Sequence, residues 1–257
     1  MRSAEPPALL GTDSGPWDSV RHWLVLAPHP DDFDVVAITL RHFKLAGARI
    51  SLEVLSGGAS GVEDAFATPW EAKTAAREIE QLESCLQFGL PAEQIHFHRL
   101  QEDAEGHMAN TLENEACVHA LLNSIQADGV VLPHGNDSNA DHRRTFRWFQ
   151  SWSNQQATPP LALFVRDPKN LGMPINLITA YHPEQAAWKA SLLRCHRSQQ
   201  QRNLRTRGFG FDERILAAER AAATNFGLHA IESFHCTHSK PTPQLNQSKI
   251  QNPKSEI

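Results

Sequence analysis

Apolar positions fall into two kinds of run along the 257 residues. Short unbroken apolar runs bounded by turn formers read as buried strands, and longer segments with apolar residues three or four apart read as helices. The first strand is Trp23-Leu24-Val25-Leu26, and the fourth is Asp128-Gly129-Val130-Val131-Leu132-Pro133. Between them lie a second strand over 49–55 and a third over 94–98; a fifth over 161–165 and a short one over 176–180 follow. Helical periods cover 35–46, 70–88, 112–125 and 143–152. Pro183 and the run 186–193 mark another helix, and 212–226 forms a last one closed by Gly227. This alternation predicts an α/β fold, a Rossmann-like, mostly parallel sheet with helices on both faces. In the commonest doubly wound order the first and fourth strands are neighbours at the switch point, so the active site is expected at the C-terminal ends of strands 1 and 4.

Polar, proline-containing flanks set the expected limits: a disordered segment over 1–17, a single domain over 18–236 and a disordered tail over 237–257. A hydrophobic share of 40% and a net charge of -5 fit a globular protein and argue against general binding to nucleic acid or an anionic membrane. No run is long enough for a signal-peptide core or a membrane span, which leads us to expect a cytoplasmic location. Cys85, Cys117, Cys195 and Cys236 are scattered without a C-x-x-C pair, so no metal or redox role is assigned to them.

Candidate chemistry collects behind the two central strands. The first runs into Pro28-His29-Pro30-Asp31-Asp32-Phe33-Asp34, the fourth into His134-Gly135-Asn136-Asp137-Ser138-Asn139-Ala140-Asp141-His142. His29 and Asp32 can leave one tight turn toward one point, a common arrangement for a metal with nitrogen and oxygen donors. Asp31, between them, stands where a carboxylate beside a metal could take a proton from water. The competing reading is that Asp31, Asp32 and Asp34 cap the helix that follows. The loop Ser56-Gly57-Gly58-Ala59-Ser60-Gly61 lacks a phosphate fingerprint and reads as a flexible rim of the site. His96 and His98 share a strand face with no evident carboxylate partner, so they read as half-exposed strand residues.

These stretches resemble the LmbE-like, PIG-L-type family of zinc-dependent de-N-acetylases, which act on N-acetylglucosaminyl compounds. His29-Pro30-Asp31-Asp32 matches the family's HPDD signature, and Asn139-Ala140-Asp141-His142 is similar to its H-x-D-H motif. Arg77 and Glu80 followed by Phe88-Gly89 resemble its R-x-x-E helix, and 189–199 its K-x-x-A-L-x-x-H-x-S-Q pattern. The resemblance implies that His29, Asp32 and His142 hold Zn2+, that Asp31 is the general base and that Asp141 supports a neighbouring imidazole. It further implies that Arg77, and more weakly Asp103, contact a sugar. The partner would be a small-molecule N-acetylated amino sugar or conjugate, and a homo-oligomer is allowed because members of that family often assemble. The competing reading makes Arg77 and Glu80 a surface pair at i and i+3, and gives Lys189, His196, Ser198 and Gln199 only the task of shaping the helix at the cleft.

One position departs from the pattern. Asn139 stands where the family has a histidine that steadies the tetrahedral oxyanion, and an asparagine can donate a hydrogen bond but brings no charge. Asn139 itself, His134 or another imidazole would then serve. The alternative function is a carbohydrate-binding homologue that keeps the metal and has weak or no turnover.

Overall fold

The structure, a computed structural model, describes residues 6–237. The flanks expected to be disordered lie outside it at 1–5 and from 238 on. At its centre β2 (His22–Ala27) is buried from Trp23 onward. Side chains alternate across a strand, so Trp23, Val25 and Ala27 face one core with Leu40 and Phe43 of α1 (Ala37–Leu45) and Cys85 and Phe88 of α2 (Trp70–Phe88). Leu24 and Leu26 face a second core with Val118 and Leu122 of α3 (Leu112–Ile125) and Phe146, Phe149 and Trp152 of α4 (Ala140–Ser153). Both faces are therefore covered, which is why the strand reads as an unbroken apolar run. Trp23 stacks on Phe43 with ring centroids 4.3 Å apart, a contact worth about 0.5–1.5 kcal/mol beyond its burial.

The remaining strands are β1 (Ala8–Leu9), β3 (Arg49–Val54), β4 (Ile95–Phe97), β5 (Gly129–Pro133), β6 (Leu161–Val165), β7 (Leu177–Tyr181) and β8 (Ala230–Thr237). They form one sheet in the order β1-β7-β8-β6-β5-β2-β3-β4. Only the pairings of β8, with β6 and β7, are antiparallel. β2 and β5, the first and fourth strands of the sequence reading, are parallel neighbours, with Trp23 opposite Gly129. The chain moves outward from β2 through β3 to β4 and then returns to the other side of β2, which makes the expected switch point.

Several elements differ from the sequence reading. Within the flank assigned to 1–17, Ala8 and Leu9 pair with β7, and Trp17 is buried in the first core. β8 was not anticipated because Glu232 and Ser233 interrupt its apolar pattern, yet both are buried. A helix over Arg197–Arg207, α6, has Leu204 as its single large apolar residue and buries Ser198, Gln199 and Asn203 instead, so it carries no apolar period to read. It follows α5 (Pro183–Leu193) and precedes α7 (Phe211–Ala223). α4 starts at Ala140 rather than at 143, which puts Asp141 and His142 on its first turn. His96 and His98 do have a carboxylate partner, since buried Glu53 lies 2.9 Å from His96 Nδ1 and 2.6 Å from His98 Nε2. No helix among the described residues is long and apolar enough to cross a membrane.

Candidate active site

Beyond the C-terminal end of β2 the chain turns through His29–Asp32, with the Asp32 carboxylate accepting the His29 N–H at 2.9 Å. That turn presents His29 Nδ1 3.3 Å from Asp32 Oδ2. From beyond β5, the first turn of α4 brings His142 Nε2 to 3.4 Å from Asp32 Oδ1. Donor atoms of all three side chains lie within 4.8 Å of one another, so residues more than a hundred positions apart converge on one point.

Each imidazole is oriented from behind by a buried aspartate. His29 Nε2 lies 2.9 Å from Asp141 Oδ2, and His142 Nδ1 lies 3.0 Å from Asp137 Oδ2. An ionised carboxylate only accepts, so each neutral ring keeps its proton on that nitrogen and turns the other nitrogen's lone pair inward. Asp137 is fixed in turn by the Asn139 N–H at 2.7 Å. Its role was not read from the sequence, although it lies within the same polar stretch.

The inward nitrogen of His142 is buried and has no hydrogen-bond partner. A buried polar atom without a partner costs about 1–3 kcal/mol, and two imidazoles with one carboxylate are a donor set that suits a divalent transition metal. A cavity of about 20 Å³ borders Asp32 and His142, enough for one water-sized species. These residues fit a metal ion. The electrostatics agree: burial disfavours the His142 imidazolium, but the charge of Asp32 outweighs it and pushes the group up to about 10. A site that retains a proton so firmly favours positive charge at that point. Burial raises the Asp141 carboxyl, but the hydrogen bonds from His29 and His107 outweigh this and bring it down to about 2. A second grouping, Asp137, His142 and Asp167, is also close enough to hold an ion, but it would use the His142 nitrogen that already meets Asp137.

Asp31 lines a neighbouring cleft and holds a backbone conformation of φ 117°. Such a φ is strained for a residue with a Cβ and persists where the surroundings enforce it. Here Gln81 Oε1 accepts the Asp31 N–H at 2.8 Å and Arg77 lies 3.2 Å from Asp31 Oδ2. Arg77 is buried, bonds the Pro30 carbonyl, and leaves Nε and one terminal nitrogen without partners. It is therefore no surface partner of Glu80, whose buried carboxylate instead receives Ser198 N–H and Oγ. Gly58, at φ 62°, lets the chain approach Arg77; a Cβ there would stand 3.2 Å from its Nε. Residues 56–59 of the glycine loop are buried, while Ser60 is exposed.

Asp34 caps nothing; it is fully buried and takes hydrogen bonds from Gln81, Ser84 and His196. Asp103 is not among the side chains of the cleft beside Asp31. Its oxygens accept Glu105 and His107 N–H groups and meet Arg144 at 3.2 Å. Asn139 lines that cleft but is also the N-cap of α4, its Oδ1 accepting the Asp141 N–H at 2.8 Å. His134 packs between Phe146, Phe164 and His235 and is not among the residues that line that cleft. The imidazole at the cleft is His107, whose Nδ1 lies 3.0 Å from the same Asp141 oxygen that holds His29. No local sequence signal marks it, because its partner is 34 residues away.

A family model described as PIG-L, GlcNAc-PI de-N-acetylase, matches residues 24–153. The chain belongs to the PIG-L family. The match runs from β2 through α4 and so contains every residue of the convergent cluster. No curated protein matches the chain by sequence. Among solved structures, N,N'-diacetylchitobiose deacetylase from Pyrococcus horikoshii is similar with a TM-score of 0.71 at 18% identity, covering 87% of this chain and 86% of that one. The zinc-inhibited form of teicoplanin deacetylase has a TM-score of 0.66 at 11% identity, covering 86% and 100%. A 4-carboxy-2-hydroxymuconate hydratase from Pseudomonas putida KT2440 has 0.57 at 16%, covering 88% and 100%. At these identities the likeness is one of fold, and proteins of this fold carry more than one reaction.

Proposed function

We propose that this PIG-L protein is a zinc-dependent hydrolase that removes an N-acetyl group from an N-acetylglucosamine-type sugar or conjugate. The observation that carries the reading is the convergence of His29, Asp32 and His142, with Asp31 beside them at the cleft. Family membership and deacetylases of the same fold support it. Zinc held by these three residues would polarise the amide carbonyl and lower the pKa of a water molecule.

The chain's own residues do the rest. Asp31, fixed by Gln81 and Arg77, removes the proton of the attacking water and returns it to the leaving nitrogen. The released products are acetate and the free amine. Asp141 and Asp137 keep His29 and His142 in the correct tautomers. His107, doubly protonated with its Nδ1–H held by Asp141, takes the place of the absent motif histidine and donates its Nε2–H to the tetrahedral oxyanion. Arg77 contributes through Asp31 and Pro30, which makes it a positioning residue.

Acetate release from N-acetylglucosamine conjugates, abolished by a chelator and restored by zinc, tests the reading. A second reading, a metal-binding homologue without turnover, is favoured by the use of Asn139 as a helix cap. Stoichiometric zinc with no amide hydrolysed would decide for it.

A further inference from the structure

The net charge of the chain is -5, yet the cleft of about 560 Å³ that opens on Asp31 is lined by Arg143, Arg144, Lys169, Arg202, Arg207 and Arg214 against the carboxylates Asp31 and Glu105. Net charge described the surface as a whole and missed this concentration. Two of the cations are already used: Arg143 bonds the Asp137 and Ser138 carbonyls, and Arg144 meets Asp103 and Asp141. The others are not. Among the described residues Lys169, Arg207 and Arg214 have no ion pair, and Arg202 has only the Gly61 carbonyl at 3.4 Å.

α6 provides its own control. Arg197 and Arg205 are not among the residues that line the cleft, and each pairs with a glutamate, Glu83 at 2.5 Å and Glu63 at 2.6 Å. Arg202 and Arg207, on the same helix but lining the cleft, have no carboxylate. The helix is therefore matched with acids outside the cleft and left unmatched where a ligand would lie. Half-buried Arg214 of α7 stands in the same cleft, where burial and then the charge of Arg207 work against its guanidinium; Asp167 and Asp31 act the other way, but among the described residues neither forms an ion pair with it. Burying a cation without a counter-charge is costly, and a bound anion would remove that cost.

We infer that the substrate carries an anionic substituent, a phosphate or a carboxylate, that seats between Arg202 and Arg207 of α6 and Arg214 of α7 while its acetamido group reaches Asp31. The inference rests on the deacetylase reading for the second half of that statement only. Guanidinium groups bind both anions through paired N–H donors, so the two chemistries share one site. α6 and α7 then set specificity, together with the loops that bring Glu105, His107 and Lys169 to the same cleft.

The test compares N-acetylglucosamine 1-phosphate, a carboxymethyl glycoside of N-acetylglucosamine and its neutral methyl glycoside on the zinc-loaded protein. Calorimetric binding and acetate release are both read. Either anionic compound should bind roughly tenfold or more tightly than the neutral one, with a preference that weakens as salt is added; which of the two leads identifies the anion. Because anions can also meet the metal, the preference must depend on the arginines, so R207Q/R214Q should bring the ratio of affinities toward one while keeping the wild-type Tm. Equal binding of charged and neutral compounds, or a preference that survives R207Q/R214Q, overturns the inference. Arginine-dependent anion binding without acetate release upholds it and sinks the deacetylase reading instead, whereas hydrolysis of all three compounds alike does the reverse.

Discussion

Two of the polar clusters buried in this protein differ in what their atoms lack. Beneath α5 and α7, Lys189 is fully buried and its ammonium meets the Val35 carbonyl, Glu219 and Glu232 at 2.5, 2.6 and 2.6 Å. Glu232 also accepts the N–H groups of Ile38 and Thr39, and Tyr181 donates to Glu219. The three ammonium protons meet three acceptors, and the cluster is closed. Beyond β2 and β5, Asp137 and Asp141 are equally well bonded, but His142 Nε2 and two Arg77 nitrogens are buried without partners. A closed network fastens elements together, here α1, α5, α7 and β8. An open one, with buried atoms left unmatched beside the cleft, can receive something.

The sharpest break in the comparison comes from Asp31→Asn. It should retain stoichiometric zinc and the wild-type Tm yet lose about 10²–10⁴-fold in kcat, measured as acetate release beside metal analysis. Lys189→Met should do the opposite, costing about 3–5 kcal/mol in denaturant unfolding because two carboxylates are left buried without their cation, with activity per folded molecule preserved. His107→Ala should lower kcat about 10²–10³-fold, whereas Asn139→Ala should cost about 1 kcal/mol of stability through the lost cap and change kcat less. If the two substitutions exchange these effects, the oxyanion assignment belongs to Asn139.

The smallest expected effect is a dependence on pH. Burial pushes the Glu219 carboxyl up to about 7 from an ordinary 4.5, as Lys189 opposes the shift and Glu232 adds to it. The folded chain then binds this proton more tightly than the unfolded chain. The contribution is present below pH 4.5 and is lost as pH rises through 7. Unfolding titrations should show wild type losing stability across that window relative to Glu219→Gln.

The central frame was legible because burial on both faces writes β2 and β5 as plain apolar runs, each ending in His and Asp. The first turn of α4 held a readable signal that the pattern of hydrophobic residues concealed: Asn139 immediately before Ala140-Asp141 is a helix start by its capping chemistry, and with it Asp141 and His142 move onto the helix. α6 and β8 were illegible for one reason. They bury Gln199, Asn203, Glu232 and Ser233, polar side chains in place of an apolar period; Gln199 is met by the Gly61 carbonyl and Glu232 by Ile38, Thr39 and Lys189, partners distant in sequence that no local pattern reports. The same holds for His107 and for Glu53, which meets His96 and His98 only across the β3–β4 pairing. Pattern reading finds what water expels; it does not find polar groups that are buried because another polar group is waiting for them.

The account depends most on the convergence of His29, Asp32 and His142, and zinc stoichiometry measures that directly. Purified wild type should hold one zinc per chain. His142→Ala, and separately His29→Ala, should hold none after exhaustive dialysis while remaining folded. Equal zinc in wild type and His142→Ala would contradict the ligand assignment and the hydrolase built on it.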